Sequence, residues 1–177
     1  MTIEKTTIAD LIVIHPSMYK DDRGYFFEAF NKEQFVKNNL NYEFIQDNQS
    51  FSKRGVIRGL HFQVGAYAQT KLVRVLAGEI LDVAVDLRAD SKTYGQYFSI
   101  VLSAENKKQL LVPAGFAHGF AVLSESASVL YKVDQVYSKD SERGIRYDDP
   151  TLNIDWQVDS NAIIVSEKDL ILPYLSI

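Results

Sequence analysis

Short strand-like segments follow one another at nearly regular intervals, and this pattern restricts the fold of the chain more than any other feature. The segments are rich in β-branched and aromatic residues, and glycines such as Gly55, Gly78 and Gly95 separate them. This spacing is typical of a sandwich or barrel rather than of βαβ units. The predicted strands are 11–15, 25–30, 44–50, 56–63, 71–77, 80–87, 97–102, 109–112, 119–123 and 128–133.

Helical structure is expected at only two places. Residues 32–39 predict a short helix with Asn31 as its N-cap and with Phe35 and Val36 on its buried side. The sequence Ser-Glu-Lys-Asp at 166–169 predicts a capped helical turn.

The organisation along the chain is simple. It shows no internal repeat and no linker, and the apolar residues that follow a predicted turn at 148–150 are expected to pack on the barrel. With 177 residues, 46% of them hydrophobic, the chain can bury a substantial core. We therefore predict one all-β domain over residues 1–177, a cupin-type jelly-roll barrel or sandwich with one or two short helices.

Composition excludes several classes of function. The absence of cysteine excludes disulfides, thiolate nucleophiles, iron–sulfur clusters and cysteine-based zinc sites. A formal charge of -4 argues against a basic face for nucleic acid. The N-terminus does not resemble a signal peptide, and no apolar run approaches the roughly 20 residues that span a bilayer. We expect a cytoplasmic protein that binds neither nucleic acid nor membrane.

Two motifs, 55–63 and 113–120, resemble the signatures of the cupin barrel. Metal-binding cupins carry His-x-His followed by Glu in the first motif and a further His in the second. Here His61 and His118 keep two of these positions, but Gln63 replaces the second histidine and no glutamate follows it. Two imidazoles do not make a catalytic zinc or iron site. The sequence therefore indicates no metal and leaves His61 free for acid–base chemistry.

A wider set of motifs resembles one family. The set includes Trp156 and the segment 166–169 near the C-terminus. Taken in order along the chain, its motifs resemble those of the dTDP-4-dehydrorhamnose 3,5-epimerase family over nearly the whole chain. The other motifs of the set are 22–28, 46–50, 58–63, 71–74, 82–88 and 131–132.

The resemblance implies an isomerase of deoxysugar synthesis that uses no metal and no cofactor. Its substrate would be a nucleotide sugar, dTDP-4-dehydro-6-deoxy-D-glucose, epimerised at C3 and C5 to dTDP-4-dehydro-L-rhamnose. The resemblance also implies a homodimer in which residues 23–28 reach into the partner's site.

Four catalytic residues follow from the same resemblance. His61 matches the base, and Asp169 matches the carboxylate that orients it. Tyr131 matches the acid on the opposite face of the sugar, since a phenol keeps its proton at neutral pH. Lys71 matches the cation that stabilises the enolate oxygen.

The resemblance further implies ten substrate contacts. Cations hold the diphosphate, polar side chains hold the nucleotide and sugar, one histidine lies beside the keto group and one aromatic ring stacks on thymine. The cations are Arg23, Arg58 and Lys168, and the polar side chains are Gln46, Asp47, Asn48, Glu28 and Glu142. The histidine is His118, and the aromatic ring is Tyr137.

Regular strand geometry does not explain two of these features. Arg58 and His61 are three residues apart, so on a regular strand they face opposite sides. We expect an irregularity at Gly59, or else entry of Arg58 from the rim. Asp82 and Asp86 share one face of a barrel strand and need partners, for which Lys71 and Arg74 are candidates.

Other functions remain open on the residues alone. An epimerase acting only at C3 or only at C5 would carry the same base, acid and cations. A 3,4-ketoisomerase is disfavoured because the motif at 58–63 is poor in histidine, and a metal-dependent cupin is disfavoured by the missing ligands. A non-catalytic sugar-binding module would not need His61, Lys71 and Tyr131 together.

Overall fold

The computed structural model describes residues 1–176, and it consists mainly of strands. The helices are α1 (Lys32–Lys37) and α2 (Glu167–Leu170). The strands are β1 (Thr2–Lys5), β2 (Ile12–His15), β3 (Tyr19–Asp21), β4 (Gly24–Phe26), β5 (Gln46–Lys53), β6 (Ile57–Gln63), β7 (Lys71–Ala77), β8 (Glu79–Asp86), β9 (Tyr97–Ser103), β10 (Gln109–Val112), β11 (Phe116–Val122), β12 (Ser126–Val133) and β13 (Glu142–Gly144).

Two antiparallel sheets face each other across the main core. One has the order β1-β2-β10-β7-β12-β5, the other has the order β13-β6-β11-β8-β9, and β3 and β4 form a separate hairpin. Neighbours in the sheets are often far apart in sequence, as in a jelly roll. The prediction of an all-β cupin-type fold is confirmed.

Strand β8 shows how the layers are built. Its alternate residues Ile80 and Ala84 point into the core between the sheets, whereas Leu81 and Val83 point outward. The outward residues are buried because the C-terminal segment, including Trp156, covers them. The predicted packing of this segment on the barrel is confirmed.

The two helices form where the sequence places them. The Asn31 side chain caps α1 by accepting a hydrogen bond from the backbone N–H of Gln34, and Ser166 caps α2. Phe35 is buried, but Val36 is 49% exposed, so its predicted burial is wrong. A helix of six residues packs on one side only, and Val36 is rotated by about 100° from Phe35.

Some strand bounds differ from the prediction. The strand predicted at 25–30 ends at Phe26, because Phe30 leaves the hairpin and packs under α1. The short strands β1, β3 and β13 were not predicted, since three or four residues carry little periodicity. No helix within residues 1–176 has the length and apolar character needed to cross a membrane.

Candidate active site

A cavity of about 550 Å³ opens between the two sheets and α2. Seven of the predicted site residues line it, together with apolar and small residues from both sheets and from the segment that leads into α2. The seven are Arg58, His61, Lys71, His118, Tyr131, Lys168 and Asp169, and the others are Ser50, Val56, Ile57, Gly119, Phe120, Ile164, Val165 and Ser166.

His61 and Asp169 form a close pair at this cavity. His61 Nε2 lies 2.6 Å from Asp169 Oδ1, and the backbone N–H of Gly59 donates to Asp169 Oδ2 at 3.3 Å. Burial raises the pKa of Asp169, but the hydrogen bonds from His61 and Gly59 outweigh it and hold the pKa below its usual value. The carboxylate therefore stays ionised, orients the imidazole and stabilises the imidazolium, while the other ring nitrogen can accept a proton.

An irregularity at Gly59 brings Arg58 and His61 to the same face, as predicted. In the pairing of β6 with β11, His61 lies opposite His118 but Arg58 lies opposite Phe120, so the register shifts by one residue between them. Gly59 has a φ of +110°, and a Cβ there would approach the carbonyl oxygen of His118 to 2.6 Å. Only glycine fits this position.

The opposite sheet supplies Lys71 on β7 and Tyr131 on β12. Lys71 Nζ donates to the carbonyl oxygen of His61 at 3.3 Å. Burial lowers the pKa of Lys71 to about 8, although the negative charges of Asp82 and Glu142 oppose the shift. Burial also raises the pKa of Tyr131, against a smaller opposite effect of Arg58. The ammonium is thus mostly charged at neutral pH, and the phenol keeps its proton.

A second histidine–carboxylate pair lies beside the first. His118 Nε2 is 2.8 Å from Asp82 Oδ1, both residues are buried, and Asp82 Oδ2 has no hydrogen-bond partner in the described chain. Asp86, farther along β8, pairs instead with Arg88 at 2.8 Å. Lys71 and Arg74, the suggested partners, form no hydrogen bond or salt bridge with these carboxylates in the described chain, because His118 on β11 and Arg88 just after β8 occupy them.

Cations concentrate at the cavity despite the negative charge of the whole protein. Arg58 donates through Nε to Ser52 Oγ at 2.9 Å and through Nη2 to the carbonyl oxygen of Phe51 at 3.3 Å. It makes no salt bridge within residues 1–176. Lys168 Nζ donates to Glu142 Oε2 at 2.6 Å. Together with Lys71, these groups form the local basic cluster that an anionic ligand needs.

Tyr137, the aromatic residue assigned to the thymine ring, does not itself line the cavity. Tyr137 is 57% exposed, and its hydroxyl donates to Glu142 Oε2 at 2.9 Å. Because Lys168 donates to the same carboxylate oxygen, Glu142 links Tyr137 to the cavity wall.

The predicted residues on β5 divide between its two faces. Asn48 lies opposite Tyr131 and accepts from Gln46 Nε2 at 2.8 Å. Asp47 points the other way and forms an ion pair with Lys132 at 2.8 Å. Its side chain is therefore turned away from the cavity, and the contact predicted for it does not fit this placement.

Arg23 and Glu28 lie away from the cavity. The Arg23 side chain is 90% exposed and pairs with Asp21 in the β3–β4 hairpin, while Glu28 accepts from Asn31 Nδ2 at 2.8 Å. The structure of one chain does not bring these two residues to His61.

Sequence reasoning missed some residues that shape the cavity. Ser50 shares its face of β5 with Asn48, and Phe120 shares its face of β11 with His118, so strict alternation from the assigned residues would have found both. The pairing of Asp82 with His118 depends on the register of β8 against β11, which no local signal reveals.

These features define a class of site. A histidine–carboxylate base on one sheet and a phenol and an ammonium on the other can remove a proton next to a carbonyl, stabilise the enolate and return a proton.

Comparison with known proteins agrees with this class. Residues 5–176 match the family model described as dTDP-4-dehydrorhamnose 3,5-epimerase. The chain is 48% identical over 171 residues to the protein of that name from Shigella flexneri, covering 96% of this chain and 93% of the relative. The chain belongs to the dTDP-4-dehydrorhamnose 3,5-epimerase family and is an isomerase.

Solved structures show the same relationship. The epimerase from Elizabethkingia anophelis superposes with a TM-score of 0.95 at 48% identity, covering 98% of this chain and 96% of that one. The epimerase from Bacillus anthracis, with TDP and PPi bound, has a TM-score of 0.95 at 47% identity, covering 98% and 99%.

Proposed function

We infer that this protein epimerises dTDP-4-dehydro-6-deoxy-D-glucose at C3 and C5 to give dTDP-4-dehydro-L-rhamnose. The observation that carries the inference is that His61 and Tyr131 line one cavity from opposite sheets, with the Lys71 ammonium in the same cavity. Relatives of 47–48% identity that bear this name support it. Incubation with this substrate in D₂O tests it, because both carbons next to the ketone should take up deuterium.

The chemistry follows from the placement of the groups. The C4 ketone makes the hydrogens on C3 and C5 acidic, and His61 takes one of them as a proton. The electron pair of the broken C–H bond moves to the ketone oxygen, where the Lys71 ammonium stabilises the enolate. Tyr131 then donates its phenolic proton to the other face of the same carbon and regains a proton from solvent, while His61 releases to solvent the proton that it took. Because the base and the acid lie on facing walls, the proton leaves from one face of the sugar and returns to the other, and the configuration of the carbon is inverted.

Binding of the nucleotide part uses the remaining groups. Arg58 and Lys168 hold the diphosphate, His118 contacts the sugar near the keto group, and Tyr137 stacks on thymine at the rim. The local cations at the cavity support this assignment, since a dianionic ligand would otherwise be repelled by an acidic protein.

The alternatives gain little from these observations. The relatives at 47–48% identity are named for both carbons, so nothing favours a mono-epimerase. A pure binding module does not need an ion-paired base, a protonated phenol and an ammonium in one cavity. Absence of a metal and cofactor, and location in the cytoplasm, stay predictions.

The lowered pKa of Lys71 predicts that the protein loses activity in mildly alkaline solution. Only the charged ammonium stabilises the enolate, and the pKa of about 8 means that the charge is lost as the pH rises through this value. We expect kcat/KM to fall about tenfold per pH unit above the pKa. The pH profile of Lys71→Arg should lack this decline, because guanidinium stays charged. A decline that persists in any active Lys71→Arg protein would assign it to another group.

The active form in this proposal is a homodimer. Tyr19, Tyr25, Phe26 and Phe51 are all more than half exposed, an unusual amount of aromatic surface for a monomer. The first three of these residues and Arg23 belong to the β3–β4 hairpin, which lies away from its own subunit's His61, and Phe51 lies on β5. A second copy seated on this surface would cover the aromatic rings and could deliver Arg23 to its neighbour's cavity.

Mixed dimers test this exchange. Arg23→Ala and His61→Ala should each be nearly inactive alone. A heterodimer of the two contains one complete site, with His61 from one subunit and Arg23 from the other. Equal mixing and refolding should therefore restore about a quarter of the wild-type activity. No recovery from mixtures that do form dimers would place Arg23 in its own subunit's site or outside any site.

A further inference from the structure

Gln63 occupies the position where metal-binding cupins carry their second histidine, but its side chain does not line the cavity. It ends β6, two residues after His61, and it is buried. Its Nε2 donates to the carbonyl oxygens of Tyr67 at 2.7 Å and Val136 at 3.1 Å, and its Oε1 accepts from the backbone N–H of Ser138 at 2.6 Å. One side-chain amide thus holds two separate loops.

Two of these three bonds lie on either side of Tyr137. The carbonyl oxygen of Val136 precedes this residue and the N–H of Ser138 follows it. The segment between β12 and the next short helical turn has no strand partner of its own, and the two backbone groups that flank Tyr137, the Val136 carbonyl oxygen and the Ser138 N–H, both bond to Gln63. The Tyr137 hydroxyl is held by Glu142, which lies directly opposite Gln63 in the β6–β13 pairing.

We propose that Gln63 is a positioning residue for nucleotide recognition, because its amide fixes the backbone on both sides of Tyr137 and so sets where the aromatic ring meets the base. The proposal rests on the proposed function in taking Tyr137 as the residue that stacks on thymine. The strand that carries the base His61 thereby also sets the far end of the site. Strand β6 therefore fixes the spacing between the part of the site that binds the sugar and the part that binds the nucleobase.

Binding of two probes by calorimetry tests the proposal. Gln63→Leu removes all three bonds and should weaken dTDP binding about tenfold, while inorganic pyrophosphate, which does not reach Tyr137, should bind as it does to the wild type. In turnover the variant should raise KM much more than it lowers kcat. Gln69→Leu is the matched control, since Gln69 Nε2 donates to the carbonyl oxygen of Gln135 in the same loop but does not flank Tyr137. It should change dTDP binding less than twofold.

A double-mutant cycle separates positioning from a general loss of structure. In a Tyr137→Ala background, Gln63→Leu should weaken dTDP binding no further. Equal weakening in both backgrounds, or an equal loss of pyrophosphate binding, would overturn the proposal. Gln63→Met keeps the length of the side chain but removes all three bonds, so it should weaken dTDP binding as Gln63→Leu does, and it provides the same test if the leucine variant does not fold.

The proposal and the proposed function can fail separately. If Tyr137→Ala leaves dTDP binding unchanged, the stacking role is wrong and the role of Gln63 falls with it, whereas turnover of the dTDP sugar would still establish the epimerase. If the protein does not turn over the sugar but dTDP binding follows the cycle above, the positioning role stands and the reaction is wrong.

Discussion

Replacing His61 with alanine should remove deuterium exchange at both C3 and C5 and lower kcat by about 10²–10⁴-fold or more, the contribution of a positioned general base. The reason is that His61 is the proton acceptor of the cavity, held at 2.6 Å by a buried, ionised Asp169. Binding of dTDP should change less than about twofold, since the residues that contact the diphosphate and the thymine ring lie elsewhere. Exchange followed by NMR in D₂O and calorimetry with dTDP give the two readouts.

Two further variants control this result. Asp169→Asn should cost less than the loss of His61, because Asp169 orients and stabilises the imidazole but takes no proton from the sugar. His15→Ala should behave as the wild type, since His15 pairs with Glu4 far from the cavity. Near-normal exchange in His61→Ala would require another base.

Replacing Tyr131 with phenylalanine should separate proton removal from inversion. The change keeps the aromatic ring and removes only the hydroxyl, so His61 should still form the enolate. His61 can then return a solvent-derived proton to the face from which it took one. Deuterium should enter the sugar with retained configuration, while epimerised product falls by about 10²–10⁴-fold. Analysis of product stereochemistry together with deuterium content measures both.

A matched tyrosine outside the cavity guards against effects of general packing. Tyr97 is partly buried on the outer face of the five-stranded sheet, so Tyr97→Phe should turn over normally. Epimer formed at the wild-type rate by Tyr131→Phe would make another group the acid. Loss of exchange as well as of epimer would place Tyr131 in binding or enolate stabilisation.

The sequence predicts most of the barrel because alternation is a local signal. Strand β7 has the predicted bounds, and β8 has all its even residues on one face and its odd residues on the other. The same alternation conflicts with the substrate contacts assigned on β5, because the neighbours Asp47 and Asn48 cannot both face the cavity. Val36 lies about 100° around α1 from the buried Phe35, and in a helix that packs on one side only the two neighbours cannot both be buried.

The parts of the site that sequence could not supply depend on register between distant strands. His118 meets Asp82 because β11 pairs with β8 in one particular alignment, and Tyr137 is anchored by Gln63 across 73 to 75 residues of chain. The shift at Gly59 was foreseen only because two assigned residues had incompatible parity. Contacts of this kind are fixed by the assembled fold, not by any stretch of sequence.

The central claim is that one base–acid pair inverts two carbons, and deuterium incorporation by the wild-type protein tests it most directly. The substrate is dTDP-4-dehydro-6-deoxy-D-glucose in D₂O, with C3 and C5 followed separately by NMR. We predict deuterium at both carbons and a product with inverted configuration at both. Deuterium and inversion at one carbon only, with the other C–H intact after prolonged incubation, would contradict it.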